Sequence, residues 1–319
     1  MSAPFDGRIR LTIVGGFLGS GKTTWMRHQL HEKTFGHVHV IVNEAADAPV
    51  DDALLQAADQ MTLLAGACVC CAGQEALQTV LLTLCDARSG AADRASRLEN
   101  IVLETSGLAD PAAIASLIQS HPILVRQIVV TETIVIVDAL NAQEQMQSET
   151  LCRKQIESAD RLIVTKTDVT HPGHLGQLCA TLTQIAPGAA QSAASFGSAM
   201  ILPDVPPCVD PFPLLPLDDQ DDVPIHAVPL DLGPTPDWTA FTVWLSALLY
   251  ARGDQIVRVK GVIATPAGRL LLQTVRRSVQ SPEILPDPDT PCATDNVVAV
   301  IGRGFSHDQL TASLAHFSA

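Results

Sequence analysis

The chain has 319 residues, 47% hydrophobic and 17% charged, which excludes disorder and, at roughly 150 residues per domain, predicts about two globular domains. Its 20 Lys and Arg against 34 Asp and Glu leave a formal charge of −14, a balance repelled by nucleic-acid phosphates and anionic membranes. No run reaches the ~18 apolar residues of a membrane span and Met1 to Arg10 has no apolar signal core, so a cytoplasmic protein with no nucleic-acid or membrane partner is expected.

Residues 8–14 read as a strand running into Gly15-Gly16, followed by a helix from about Gly21 to His31. Val38 to Val42 predicts a second strand, Ala53 to Ala58 a short helix, and Met61 to Leu64 a third strand. Over 74–87, Leu77, Val80, Leu81 and Leu84 recur at helical spacing. Continuous apolar runs at 101–103, 128–137 and 162–164 fit strands covered on both faces. Short buried strands alternating with helices predict an α/β fold over residues 1–200, a doubly wound, mostly parallel sheet.

From 201 to 236 the composition turns proline-rich and includes Asp218-Asp219-Gln220-Asp221-Asp222, as expected of a linker stiffened by proline and solvated by charge. Residues 237–319 then predict a second, smaller α+β domain. It would have a helix over 238–250, strands at 256–263, 269–275 and 297–301, and a closing helix at 307–317. Trp238, Phe241, Trp244, Leu245 and Leu248 form an apolar stripe that packs the first helix on its sheet.

Gly16-Phe-Leu-Gly19-Ser-Gly21-Lys22-Thr23 fits the G-x-x-x-x-G-K-[ST] phosphate loop, in the strand-to-helix context that gives the pattern meaning. Gly16, Gly19 and Gly21 let successive N–H groups turn inward around a β-phosphate at a helix N-terminus, with Thr24 beside them. Lys22 would neutralise phosphate oxygens, and the Thr23 hydroxyl would ligate Mg²⁺. Together with the sheet this predicts a P-loop NTPase fold. Glu104-Thr105-Ser106-Gly107 follows a buried strand, placing a carboxylate near Mg²⁺ and the Gly107 N–H near a γ-phosphate. Asp138, at the end of the 128–137 strand, reads as an ordinary strand-end acid. In Thr165-Lys166-Thr167-Asp168, the Asp168 carboxylate suits the N1–H and N2 amine of guanine, a donor pair adenine lacks, and the Lys166 stem suits the base plane. The nucleotide is therefore expected to be GTP.

Cys68-Val-Cys70-Cys71 places three thiols in four positions just after a strand. Thiolates are soft ligands for Zn²⁺, and three of them leave the fourth tetrahedral position open for transfer. Co²⁺ and Ni²⁺ also suit such a site. Cys85, Cys152, Cys179, Cys208 and Cys292 are scattered and read as inert.

Residues 15–24, 68–71, 104–111 and 165–168, with Arg258-Val-Lys-Gly261 and Val300-Ile-Gly-Arg303 further on, together resemble the CobW-type metallochaperone GTPases, within them the YjiA-like branch. The resemblance implies slow GTP hydrolysis as the enzymatic activity. It also implies a cargo metal on Cys68, Cys70 and Cys71, Mg²⁺ served by Thr23 and Glu104, guanine read by Asp168, and a client metalloprotein engaged by the C-terminal domain. Asp47 stands where the family's switch segment has a Glu, and is the candidate metal ligand there. His121 aligns with a histidine that YjiA-like proteins can use for metal, and otherwise caps a helix. The family's Asn-Glu-Phe-Gly-Glu segment reads Asn43-Glu-Ala-Ala-Asp47 here, and the His-rich tract between domains is replaced by acids. His37 and His39 read as structural. Two alternatives stay open: an assembly factor for one metalloenzyme, such as a nitrile hydratase or a cobalamin-pathway enzyme, and a P-loop phosphotransferase with structural cysteines. A metal- or nucleotide-dependent homodimer is left open as well.

Overall fold

The computed structural model describes residues 7–44, 60–65, 73–90, 97–202, 209–214, 226–253, 255–275, 277–279, 282–285 and 295–317. The chain divides into two units, one of Arg8–Gln220 and one of Asp221–Ala319 together with Met1–Gly7.

In the first unit, strand β1 (Ile9–Gly16) leads through the glycine loop into helix α1 (Lys22–His31), and β2 (Val38–Glu44) and β3 (Gln60–Ala65) follow. Next come α2 (Gln74–Gly90), β4 (Asn100–Glu104), α3 (Pro111–Ser120), α4 (Leu124–Gln127) and β5 (Ile128–Asp138). Helices α5 (Ala142–Ser148) and α6 (Thr150–Glu157) precede β6 (Arg161–Thr165), and α7 (Pro172–Ile185), β7 (Ala190–Ser195) and β8 (Ser198–Met200) complete the unit. The sheet order is β3-β2-β4-β1-β5-β6-β7-β8, parallel throughout except for the β7–β8 pair.

The predicted continuous apolar strands occupy the middle of this sheet. Ile101, Val102 and Leu103 of β4, and Leu162, Ile163 and Val164 of β6, are all buried. Helices cover both faces: one core joins Leu77 and Leu81 of α2 to Ile114 and Ile118 of α3, while Trp25, Met26 and Leu30 of α1 pack on the opposite side with Val14, Val40 and Val102. Asp110 starts α3 by accepting from Ala112 N at 2.9 Å, with Pro111 in the first turn, where its missing N–H is harmless. The short helix read over 53–58 lies outside the described residues.

The second unit is an antiparallel sheet of order β12-β11-β10-β14-β9, built from β9 (His226–Asp231), β10 (Ile256–Thr265), β11 (Gly268–Val275), β12 (Ser278–Val279) and β14 (Val297–Gly302), with β13 (Glu283–Leu285) also on β11. Helices α8 (Trp238–Arg252) and α9 (His307–Ala315) share its core. Asp237 caps α8 through Ala240 N, and a reciprocal Ser306–Gln309 capping box starts α9. Phe241 and Trp244 are 2% and 1% exposed, each contributing on the order of 3 kcal/mol by burial.

Residues 226–231, which composition assigns to the proline-rich linker, form an edge strand instead. Val228 and Leu230 face the core, and Pro229 is tolerated because β9 pairs on one side only, with β14. The acidic run 218–222 lies outside the described residues.

Candidate functional site

The parallel strands deliver their C-terminal ends to one edge, where loops rather than pleats decide what side chains meet. At that edge β1 ends in Gly16, with φ 140°, and a Cβ there would sit 2.4 Å from the Ile136 carbonyl of neighbouring β5. Gly19 and Gly21 also have left-handed φ values, 75° and 89°. The loop therefore curls as only glycine allows, and it feeds α1 with no side chain capping the helix N-terminus. Lys22 Nζ arches back to donate to the Gly16 carbonyl at 2.9 Å and the Phe17 carbonyl at 3.1 Å. A cradle of backbone amides ending in a mobile-stemmed cation is the donor set a di- or triphosphate requires.

Beside the cradle, the Thr23 hydroxyl donates to Glu104 Oε1 at 2.6 Å across 81 residues of sequence. Glu104 is 3% exposed, at the end of β4, which lies next to β1 in register Val14↔Glu104. A hydroxyl and a carboxylate are hard oxygen donors, the kind of group that Mg²⁺ takes as ligands.

The segment after Glu104 presses on the phosphate loop. A Cβ on Gly107 would lie 2.8 Å from Leu18 N and 2.9 Å from Leu18 Cα, so glycine alone permits this approach. The segment is tied from behind by Gln155 of α6, whose Nε2 donates to the Gly107 carbonyl at 3.2 Å and to the Ala109 carbonyl at 2.7 Å. Gln155 is 1% exposed, and sequence reasoning passed over it: a polar residue on the apolar side of a short helix was the signal that could have found it.

Two strands from β1, the 165–168 segment closes over the same loop. Thr165 Oγ1 donates to the Ser20 carbonyl at 2.7 Å, Lys166 Nζ donates to the Gly19 carbonyl at 3.0 Å, and Asp168 stands exposed in a short 3₁₀ turn, Thr167–Val169. Lys22, Thr23, Glu104, Gly107, Lys166 and Asp168 thus belong to one edge.

The metal candidates divide differently. Asp47, Cys68, Cys70 and Cys71 lie outside the described residues. His121 is at the C-terminal end of α3, which runs antiparallel to the strands, so it occupies the edge opposite Thr23 and Glu104. Its Nδ1 accepts from Ile123 N and Leu124 N, both at 3.3 Å, which is the helix-capping role. Among the described residues no three His, Cys, Asp or Glu side chains converge on a metal position. Cys85, Cys152 and Cys179 are buried free thiols. Burial pushes Cys85 to about 11 and Cys152 to about 12, so neither supplies a thiolate near neutrality. Among the described residues no helix is long and apolar enough to cross a membrane.

Comparison with known proteins gives a consistent set of similarities. Residues 10–192 match the CobW/HypB/UreG nucleotide-binding domain, and residues 226–318 match the C-terminal domain of the cobalamin synthesis protein cobW. The chain is 32% identical over 284 residues to the zinc chaperone YjiA of Escherichia coli K12, covering 84% of this chain and 86% of that protein. It is 26% identical over 193 residues to the zinc chaperone CobW of a Sinorhizobium species, covering 51% and 52%. The crystal structure of the zinc-bound YjiA GTPase from E. coli superposes over 97% of this chain and 99% of that one, with a TM-score of 0.58 and 26% identity.

Proposed function

This chain belongs to the CobW/HypB/UreG family of nucleotide-binding proteins, and on that premise we propose that it binds and slowly hydrolyses GTP and uses that cycle to pass zinc to a client metalloprotein. The observation that carries the nucleotide half is the Thr23–Glu104 hydrogen bond, which sets a Mg²⁺-type donor pair against the Lys22 cradle. Lys22 holds the β- and γ-phosphates, and the amides around Gly16, Gly19, Gly21 and Thr24 enclose them. Thr23 and Glu104 would hold Mg²⁺, which would supply charge neutralisation for phosphoryl transfer. Gly107, which lies against Leu18, would offer its N–H to the γ-phosphate. Asp168 accepts from the guanine N1–H and N2 amine, with Lys166 beneath the base.

The metal half is supported by the similarity to zinc chaperones and by the chemistry of Cys68, Cys70 and Cys71. Three thiolates suit Zn²⁺ and leave a ligand position for a receiving protein. Strands β2 and β3 are parallel, with Glu44 and Ala65 paired at their ends. Asp47 and Cys68 each come three residues later, a reach of about 10 Å. On this reading nucleotide and cargo metal share the edge of one sheet, and GTP binding changes the ligand set offered to zinc.

The test is zinc affinity by competition with a chromophoric chelator, with and without Mg-GTP, for the wild type, Cys70→Ser and Lys22→Ala. The reading expects one tight zinc equivalent whose affinity shifts with GTP, loss of that site in Cys70→Ser, and a GTP-insensitive site in Lys22→Ala. Zinc binding identical with and without GTP in the wild type would refute the coupling and leave a GTPase alone.

A further inference from the structure

Asp138 closes β5 with its side chain wholly removed from solvent. A carboxylate in that position is costly unless its charge is matched and its oxygens are satisfied. Here Oδ2 accepts from Lys166 Nζ at 2.6 Å and from Asn141 Nδ2 at 2.6 Å, and Oδ1 accepts from Leu140 N at 2.9 Å. Lys166 Nζ donates in addition to the Gly19 carbonyl of the phosphate loop. One ammonium thus bridges a buried acid on β5 and a backbone oxygen of the cradle. Lys166 itself has φ 58°, a left-handed backbone that a long side chain rarely adopts, and Thr170 Oγ1 braces it by donating to its carbonyl at 2.7 Å. The stem between this fixed backbone and the fixed ammonium has little freedom left, although the side chain is 36% exposed.

Free lysine stems are among the most mobile side chains, and a binding surface made from one must order it on association. The geometry points to Asp138 as the positioning residue of the base pocket. By pinning the Lys166 ammonium it presents the aliphatic stem as a preformed platform for the face of a guanine ring. Through Gly19 it also locks that platform to the phosphate cradle. This inference rests on the GTP reading above and adds a division of labour to it. Asp168 reads the edge of the base, while Asp138, through Lys166, sets affinity for its face, whichever purine substituents the edge carries.

The measurement is affinity for a fluorescent GDP analogue in the presence of Mg²⁺, for the wild type, Asp138→Asn, Lys166→Ala and the double variant. The set is repeated with a xanthine diphosphate analogue in an Asp168→Asn background. Asp138→Asn keeps the volume and an acceptor but removes the charge, and GDP binding should weaken about tenfold, the size of a charge-assisted hydrogen bond. In the Lys166→Ala background the same substitution should change nothing, and in the Asp168→Asn background it should weaken the xanthine nucleotide by the same factor. A purely structural Asp138 would add its loss to that of Lys166→Ala, and that additivity overturns the inference, as does unchanged GDP affinity in Asp138→Asn. Should Asp138→Asn fail to fold, exposed Asn141→Ala carries the same test. It should cost about threefold in GDP affinity when Lys166 is present and nothing when it is absent. A wild type that binds neither GDP nor GTP refutes the GTP reading itself, an outcome separate from all of these.

Discussion

Thr165 donates its hydroxyl to the Ser20 carbonyl at 2.7 Å, binding the end of β6 to the phosphate loop across 145 residues of sequence. Because the same hydroxyl lies 3.2 Å from the Val137 carbonyl, it sits where β5, β6 and the loop meet. Thr165→Val keeps the shape and removes the donor, leaving carbonyls in a buried setting short of a partner. The expected loss is about 1–3 kcal/mol of stability, with Tm falling roughly 2–4 °C per kcal/mol. GDP affinity should fall too, while Thr165→Ser stays close to wild type. Thermal melts with and without GDP check this. Equal behaviour of the Val and Ser variants would show that the loop does not depend on this bond.

The 2.6 Å contact between Thr23 Oγ1 and Glu104 Oε1 is short, as hydrogen bonds to a carboxylate are. Glu104→Gln retains the size and removes the charge. In the GTP complex the Mg²⁺ requirement should rise about 10- to 100-fold, the range found when a group orienting a metal ligand is lost. GDP binding in chelator should be little altered. Titrating Mg²⁺ against bound fluorescent GTP gives the answer, and an unmoved midpoint would reduce Glu104 to a structural acid.

Much of this edge was legible in the residues alone. The phosphate loop, Glu104 and the 165–168 segment announce themselves because each needs particular residue types at fixed offsets from a buried strand. Buried apolar runs located the central strands for the same reason: a strand covered on both faces has no polar positions to blur it. What stayed hidden was of another kind. Gln155 and Asp138 act through carbonyls and an ammonium far away in sequence, and nothing local marks a polar residue as clasping Gly107 or Lys166. From sequence, β9 reads as linker because prolines and acids dominate its neighbourhood, whereas an edge strand needs only one hydrogen-bonding side and an alternation as brief as Val228 and Leu230. His121 reads from sequence both as an aligned metal histidine and as a helix cap, and in the fold its Nδ1 accepts from two backbone amides at the end of α3.

Gln155 offers a separate way to perturb the segment that follows Glu104. Both of its amide contacts, to the Gly107 and Ala109 carbonyls, are buried. Gln155→Leu should destabilise the protein by about 2–4 kcal/mol in urea denaturation, because two acceptors lose their donor together. It should also lower affinity for GTP relative to GDP, since Gly107 is then no longer held against Leu18 ahead of the γ-phosphate. The ratio of the two nucleotide affinities is the useful readout: a drop in stability with that ratio intact would confine Gln155 to the core.

His39 gives the first unit a pH dependence whose sign is fixed by its surroundings. The residue is 6% exposed on β2, with Nδ1 3.2 Å from Gln60 Oε1 and Nε2 2.8 Å from Thr62 Oγ1 on β3. Burial lowers its pKa from the ordinary 6.5, and the Gln60 contact opposes this only in part. The folded state therefore favours the neutral ring, while the unfolded chain takes up a proton more readily. The stability that His39 contributes is fully present above pH 6.5 and is lost as the pH falls from there through the lowered folded value. His39→Gln removes the titrating group and leaves polar atoms for Gln60 and Thr62. Its Tm should therefore fall less than that of the wild type between about pH 7 and pH 5. Melting curves across that range decide it. The chain has ten histidines, so only the difference between the two proteins speaks for this one. Parallel pH profiles would mean that the β2–β3 pairing accepts a protonated ring without penalty.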